Sequence, residues 1–144
     1  MKKIIILKII CLLILFQLSN AVYAQNKADY FTVENYYKVK WGFADEFISL
    51  WKVNHYPLLK KAIEKKDIIS VVAEKPRLHS GEDTRWDFKV TIVFKDAKTA
   101  FDPNLTEPYK AQLYDLEKLK KDEQHRFELL LAHWDVMTES VSLP

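Results

Sequence analysis

The chain predicts an α+β fold, a ferredoxin-like βαββαβ domain with a four-stranded antiparallel sheet and two helices on one face. Three observations carry this. Residues 30–39 and 86–95 alternate apolar and polar with a period of two. Residues 43–63 and the stretch after Pro108 switch to helical spacing, and the order of these segments is strand, helix, strand, strand, helix, strand.

The first strand is rich in aromatic and β-branched residues, with Phe31, Val33, Tyr37 and Val39 on one side and Tyr30, Thr32 and Tyr36 on the other. Gly42 ends it. The first helix follows, with Phe43, Phe47, Trp51, Leu58 and Ala62 on one stripe, flanked by Ile48, Leu59 and Ile63. Asp45 and Glu46 suit its positive end, and Pro57, which lacks an N–H, should kink it. The charged run Glu64 to Asp67 reads as a solvated exit.

A second strand is expected from Ile68 to Lys75, and His79 to Asp83 around Gly81 reads as a hairpin loop. The third strand should bury Trp86, Phe88, Val90, Ile92 and Phe94 and expose Asp87, Lys89, Thr91 and Lys95. Asp102-Pro103-Asn104 should interrupt any helix, after which Thr106 is placed to cap a second long helix with Tyr109, Leu113, Leu116 and Phe127 as its apolar stripe. Leu129 to Val141 completes the sheet. Two helices cover one sheet face only. Ile68 and Val72 against Ile69 and Val71 suggest apolar side chains on both faces, so the uncovered face is expected to meet a second copy in a homodimer.

Residues 1–24 read as a secretory leader: Lys2 and Lys3 form a basic start, Ile4 to Phe16 is apolar apart from Lys8, and Ala21-Val22-Tyr23-Ala24 places small residues before a cut ahead of Gln25. A membrane anchor needs about 20 apolar residues, and this run is shorter and broken by Lys8. Residues 25–144 then form a single domain, exported to the periplasm or the extracellular space, with no membrane association after the leader is removed. The chain carries 22 Lys and Arg against 20 Asp and Glu, but Lys2, Lys3 and Lys8 belong to the leader, which holds no acid. The remainder has no basic stripe, which argues against nucleic-acid binding. The single cysteine, Cys11, also lies in the leader, so thiol nucleophiles and thiolate metal sites are not expected. With only Gly42 and Gly81, no glycine-rich phosphate loop can be built.

His55 falls within the buried arc of the first helix and points towards the sheet, where an imidazole could act as general base or hydrogen-bond partner. The competing reading is a core histidine satisfied beside the Pro57 kink. His133 and Asp135 share a face of the last strand, with Trp134 opposite. With His55 they contain the residue types of an open iron site, but a strand hydrogen-bond pair is preferred and no metal or other cofactor is expected. Tyr36, Trp51, His55, Trp86 and His133 are candidate ligand-binding residues, with His55 the candidate catalytic one. His79 and His125 read as surface histidines.

The stretch from Tyr36 to Phe94, with Tyr36-Tyr37-Lys38-Val39-Lys40-Trp41-Gly42, Asp45-Glu46-Phe47, Asn54-His55-Tyr56-Pro57 and Trp86-Asp87-Phe88, resembles the dimeric α/β-barrel superfamily that includes antibiotic-biosynthesis-type monooxygenases. The resemblance implies two sheets paired into a barrel and a pocket between sheet and helices in each subunit. Some relatives handle haem, for which His55 or His133 would be the available ligands. The first functional expectation is an exported dimeric module binding a small apolar or aromatic molecule. The second is cofactor-independent oxygenation or isomerisation in the same pocket. The third is a structural or protein-interaction module that needs no cavity.

Overall fold

The computed structural model describes residues 30–78, 80–141 and 143. The leader, its cleavage point at Gln25, Cys11 and His79 lie outside the described residues. The elements run β1 (Phe31–Val39), α1 (Ala44–Asn54), α2 (Tyr56–Glu64), β2 (Ile68–Glu74), a single 3-10 turn (Glu82–Thr84), β3 (Phe88–Phe94), α3 (Ala97–Ala100), α4 (Glu107–Leu113), α5 (Leu116–Glu128) and β4 (Leu130–Thr138). The strands form one antiparallel sheet in the order β2-β3-β1-β4, the crossed order of a ferredoxin-like domain. The expected fold class is borne out.

The core lies between the sheet and the helices. Tyr37 and Val39 of β1, Phe47, Ile48 and Trp51 of α1, Leu59 and Ala62 of α2, and Phe88, Val90, Ile92 and Phe94 of β3 form one continuous cluster. The alternation of β3 translates directly into burial, every second residue from Phe88 being buried. Gly42 makes the turn from β1 into α1 with φ of 84°, a left-handed conformation in which a side chain would be strained.

Pro57 does more than kink the first helix. Its missing N–H cannot bond the Val53 carbonyl, so the helix breaks at His55 into α1 and α2, and the Tyr114 hydroxyl donates to the freed Val53 oxygen at 2.8 Å. His55 serves both halves: its N–H donates to the Trp51 carbonyl at 2.9 Å, and its carbonyl accepts from the Leu58 and Leu59 amides at 3.1 and 3.3 Å. Phe43 is a correction. It precedes α1 and is 43% exposed, because the stripe begins one turn later at Phe47.

The second long helix is also two. Its chain breaks at Tyr114-Asp115, where the Asp115 side chain accepts from the Lys118 amide and starts α5 anew, whereas Thr106 makes no side-chain cap bond. The inward positions of α5 are Leu119 and Arg126, seven residues apart, while Leu116 and Phe127 are exposed. The stripe is therefore rotated from its expected position by about one residue, or about 100°.

Two register shifts redistribute the sheet faces. One between Ile68 and Ser70 puts Ile68 opposite Phe94 and Val71 opposite Ile92, towards the helices, and leaves Val72 opposite Thr91 on the uncovered face. Ile68 and Val72 thus do not share a face. The second shift lies between Lys38 and Val39. The uncovered face is mixed in character: Tyr36, Trp134 and Val136 adjoin Glu34, Lys89 and Glu74, with Lys89 bridging Glu74 at 2.7 Å and Glu34 at 3.7 Å.

Candidate functional site

Five candidate ligand residues divide between the two faces of the sheet. Tyr36 stacks on Trp134, with centroids 5.4 Å apart and planes 2° from parallel, and Trp86 meets Tyr36 edge-on at 5.9 Å. These three rings lie on the uncovered face. Trp51, His55 and His133 lie on the helix side. One chain therefore brings together three of the five, and Tyr36 and Trp86 stand across the sheet from them.

The alternation places Trp86 in the core with Phe88, and the structure corrects this. Trp86 precedes β3, and the residue before it, Arg85, takes the buried position in its place. The Arg85 guanidinium pairs with Asp87 and Glu82, donates to the Val39 carbonyl at 3.1 Å and lies 4.1 Å over the Trp41 ring. Asp87 in turn accepts from the Val39 amide at 2.8 Å. This irregular segment turns Trp86 to the opposite face.

On the helix side, the rings form a chain. His55 contacts Trp51 at 5.6 Å, Trp51 contacts Phe88 at 5.2 Å, Phe88 contacts Tyr37 at 5.7 Å, and Tyr37 stacks on His133 at 4.5 Å. His133 Nε2 pairs with Asp135 at 3.1 Å, the strand pair that the sequence favours. Among the described residues no three His, Cys, Asp or Glu side chains gather as metal ligands. His125 is on the solvated side of α5 and meets Glu46 at 2.7 Å.

The electrostatics of this side are unusual. The His55 imidazole makes no hydrogen bond among the described residues, and burial, followed by the positive charges of Arg126 and Lys110, lowers its pKa to about 4. Burial pushes the Tyr37 phenol up to about 12, against the opposing pull of Arg126. Arg126 itself is only 5% exposed, and burial holds its guanidinium below its ordinary value. It lies 5.7 Å over Phe47 and 5.0 Å over Phe127, with no carboxylate paired to it among the described residues. Two buried N–H donors, Nε of Arg126 and Nε1 of Trp51, have no hydrogen-bond partner among the described residues. The Trp51 N–H lies near enough to the Tyr37 oxygen to ease the rise of that phenol slightly, without reaching hydrogen-bond geometry, so Arg126 is the more exposed of the two to an unmet demand.

The sequence reading missed Arg126, since an arginine within a charged helix reads as solvated. The available signal was its spacing of seven from Leu119, which places both on one face of α5. The space directly beneath α1 is filled by Phe47, Trp51 and Phe88. A cleft of about 290 Å³ lies elsewhere, against Trp41, Asp45, Lys75, Arg77 and Arg85. A shallow one of about 420 Å³ runs along the outer face of α5. Neither borders His55.

No family model matches the chain, and no curated protein matches it. Solved structures do. The protein At3g17210 from Arabidopsis thaliana is 12% identical and superposes with a TM-score of 0.50, covering 79% of this chain and 98% of that one. A dimeric ferredoxin-like protein from an uncultured marine organism is 6% identical with a TM-score of 0.49, covering 82% and 94%. A mutant form of SnoaB, a cofactor-independent oxygenase from Streptomyces nogalater, is 14% identical with a TM-score of 0.48, covering 81% and 97%. At these identities the likeness is one of fold. The chain has a ferredoxin-like fold, shown by its own element and strand order.

Proposed function

We propose that the protein is an exported, homodimeric small-molecule-binding module whose ligand is held on the helix side of the sheet towards the β4 edge, beside His55, Arg126 and His133. The observation that carries this reading is the buried Arg126 N–H left without a hydrogen bond, beside a His55 imidazole that also lacks one among the described residues. Buried polar groups are ordinarily satisfied, and leaving one without a partner costs about 1–3 kcal/mol. A ligand that accepts from these donors would remove that cost. Entry would be from the β4 edge, where His133 and Asp135 are exposed.

Catalysis with His55 as general base is the weaker reading. A base works best with a pKa near the operating pH, and burial brings this imidazole down to about 4, which leaves it neutral but feebly basic at pH 7. Dimerisation sheet to sheet is supported by the uncovered Tyr36, Trp86 and Trp134 rings and by Val72 and Val136 beside them, a surface that a single helix layer leaves bare. Export rests on the leader-like character of residues 1–24.

Protein purified without denaturation from an exporting host tests both parts. Native mass spectrometry is expected to show a dimer with a retained small molecule, and intact mass an N-terminus at Gln25. A bare protein whose melting temperature is unmoved by aromatic probes would overturn the binding reading. Retention of Cys11 would overturn the leader.

A further inference from the structure

We infer that the ligand of this site carries a carboxylate, received by the buried Arg126 guanidinium, and that its apolar remainder is aromatic. The inference rests on the binding reading above and names its chemical class.

A buried cation without a counter-ion is among the most costly features a small domain can hold, since even the partial dehydration of a guanidinium must be offset by a charge partner or hydrogen bonds. Arg126 has neither among the described residues. Its contacts are the rings of Phe47 and Phe127, and its Nε is unpartnered. The other buried arginine shows what a structural role looks like in this molecule: Arg85 is tied to Asp87, Glu82 and the Val39 carbonyl. Glu123, one turn earlier on α5, contributes charge but forms no pair with Arg126.

The surroundings select the kind of anion. Arg126 is acted on by Glu123 of α5 and the Tyr37 phenol of β1, and it bears in turn on His55 at the α1–α2 junction, which Lys110 of α4 and His133 of β4 also face. Asp135 faces His133, not the guanidinium. A buried guanidinium with an unpaired N–H and no ion pair among the described residues favours an anion, and the planar fork of arginine fits the two oxygens of a carboxylate. The Trp51 indole N–H, 2% exposed and short of a hydrogen bond, belongs to the same ring cluster through Phe88 and Tyr37. Phe127, 56% exposed and 5.0 Å from the guanidinium, would give the remainder of the ligand an aromatic neighbour, while Phe47, Tyr37 and Trp51 pack on one another in the core.

The test uses isothermal titration of the full mature protein with benzoate and phenylacetate, against their neutral isosteres benzamide and phenylacetamide, in wild type and Arg126→Met. The expected result is at least tenfold tighter binding of the carboxylates in wild type, and loss of that preference in the variant. The melting temperature of Arg126→Met reports that the variant folds, and it is expected to equal or exceed that of wild type, because an uncompensated buried charge has been replaced by an apolar chain. If acid and amide bind alike, the carboxylate assignment falls while the binding reading stands. If no member of the panel binds, both fall. If Arg126→Met instead melts well below wild type and the remaining affinity for acid and amide keeps the wild-type ratio, Arg126 is a cation–π strut and the inference is overturned. Arg126→Lys serves as the folded control when the methionine variant cannot be isolated: a carboxylate preference as strong as wild type in the absence of the planar fork overturns the bidentate assignment, and a weakened one supports it.

Discussion

The Tyr37 ring lies flat against the His133 imidazole, centroids 4.5 Å apart and planes 5° from parallel, at directly paired positions of β1 and β4. β4 is an edge strand with most of its residues exposed, and among the described residues β1 is its one partner in the sheet. This cross-strand pair is therefore a main side-chain tie on the helix side. His133→Ala is expected to lower stability by about 0.5–1 kcal/mol and to speed amide exchange in residues 130–138 ahead of β3. Hydrogen-exchange mass spectrometry measures both regions on one sample. Equal exchange in the variant and the wild type would show the stack to be incidental.

Arg85 ties the same end of β1 along its other edge, towards β3. Its side chain is 4% exposed, and it donates to the Val39 carbonyl and binds Asp87, which accepts from the Val39 amide, so one guanidinium pins the end of β1 to the start of β3. Removing one member of a buried pair strands the other charge and costs about 3–5 kcal/mol. Arg85→Met is expected to fall in that range by urea denaturation, and Arg85→Lys to recover only part, since a lysine cannot make the forked contacts. A loss under about 1 kcal/mol would show that the clamp is not needed.

Legibility in the sequence followed the regularity of each element. The alternation of β3, the inward placement of Trp51 and His55, and the shared face of His133 and Asp135 come from periodicity, and the structure puts Trp51, His55 and His133 on the helix side. Departures arise where one residue changes phase. The register shift at Ile69 turns Val72 to the uncovered face and leaves no mark in composition. Trp86 reads as a continuation of β3, but the turn before Phe88 gives the inward position to Arg85. Phe127 outranks Arg126 on hydrophobicity, yet Arg126 shares the face of Leu119, so the most informative buried side chain is hidden by its own polarity.

The His55 environment sets a pH dependence. Its folded-state pKa of about 4 lies below the ordinary 6.5, so between those values the unfolded chain binds a proton that the folded chain does not. Stability should be unaffected by this group above pH 6.5 and should decline as pH falls towards 4, by up to about 3 kcal/mol once both states are protonated. Asp96 and Asp122, depressed from 3.8 by Thr99 and Lys118, lose their contributions mainly below that window. His55→Asn should flatten the decline between pH 6.5 and 4 in thermal melts. An unchanged slope in the variant would mean that the imidazole is solvated enough to titrate normally.

Assembly is most directly probed at Trp134. Its ring stacks on Tyr36 and is still 39% exposed in the single chain, so the pair presents its outer surface to whatever covers the sheet. A dimer formed on this face would bury both rings near its two-fold axis, with Glu34, Lys89 and Glu74 supplying charges that must find partners across the interface or stay at its rim. Trp134→Glu places a carboxylate in that apolar centre and is expected to give a monomer across micromolar concentrations by light scattering. Its monomer stability should change by no more than about 1 kcal/mol, since the position is not in the core. Wild type should scatter as a dimer over the same range. A variant that remains dimeric would move the interface to the β4 edge or the helices, and a wild type that is already monomeric would leave the aromatic face without a second copy to cover it.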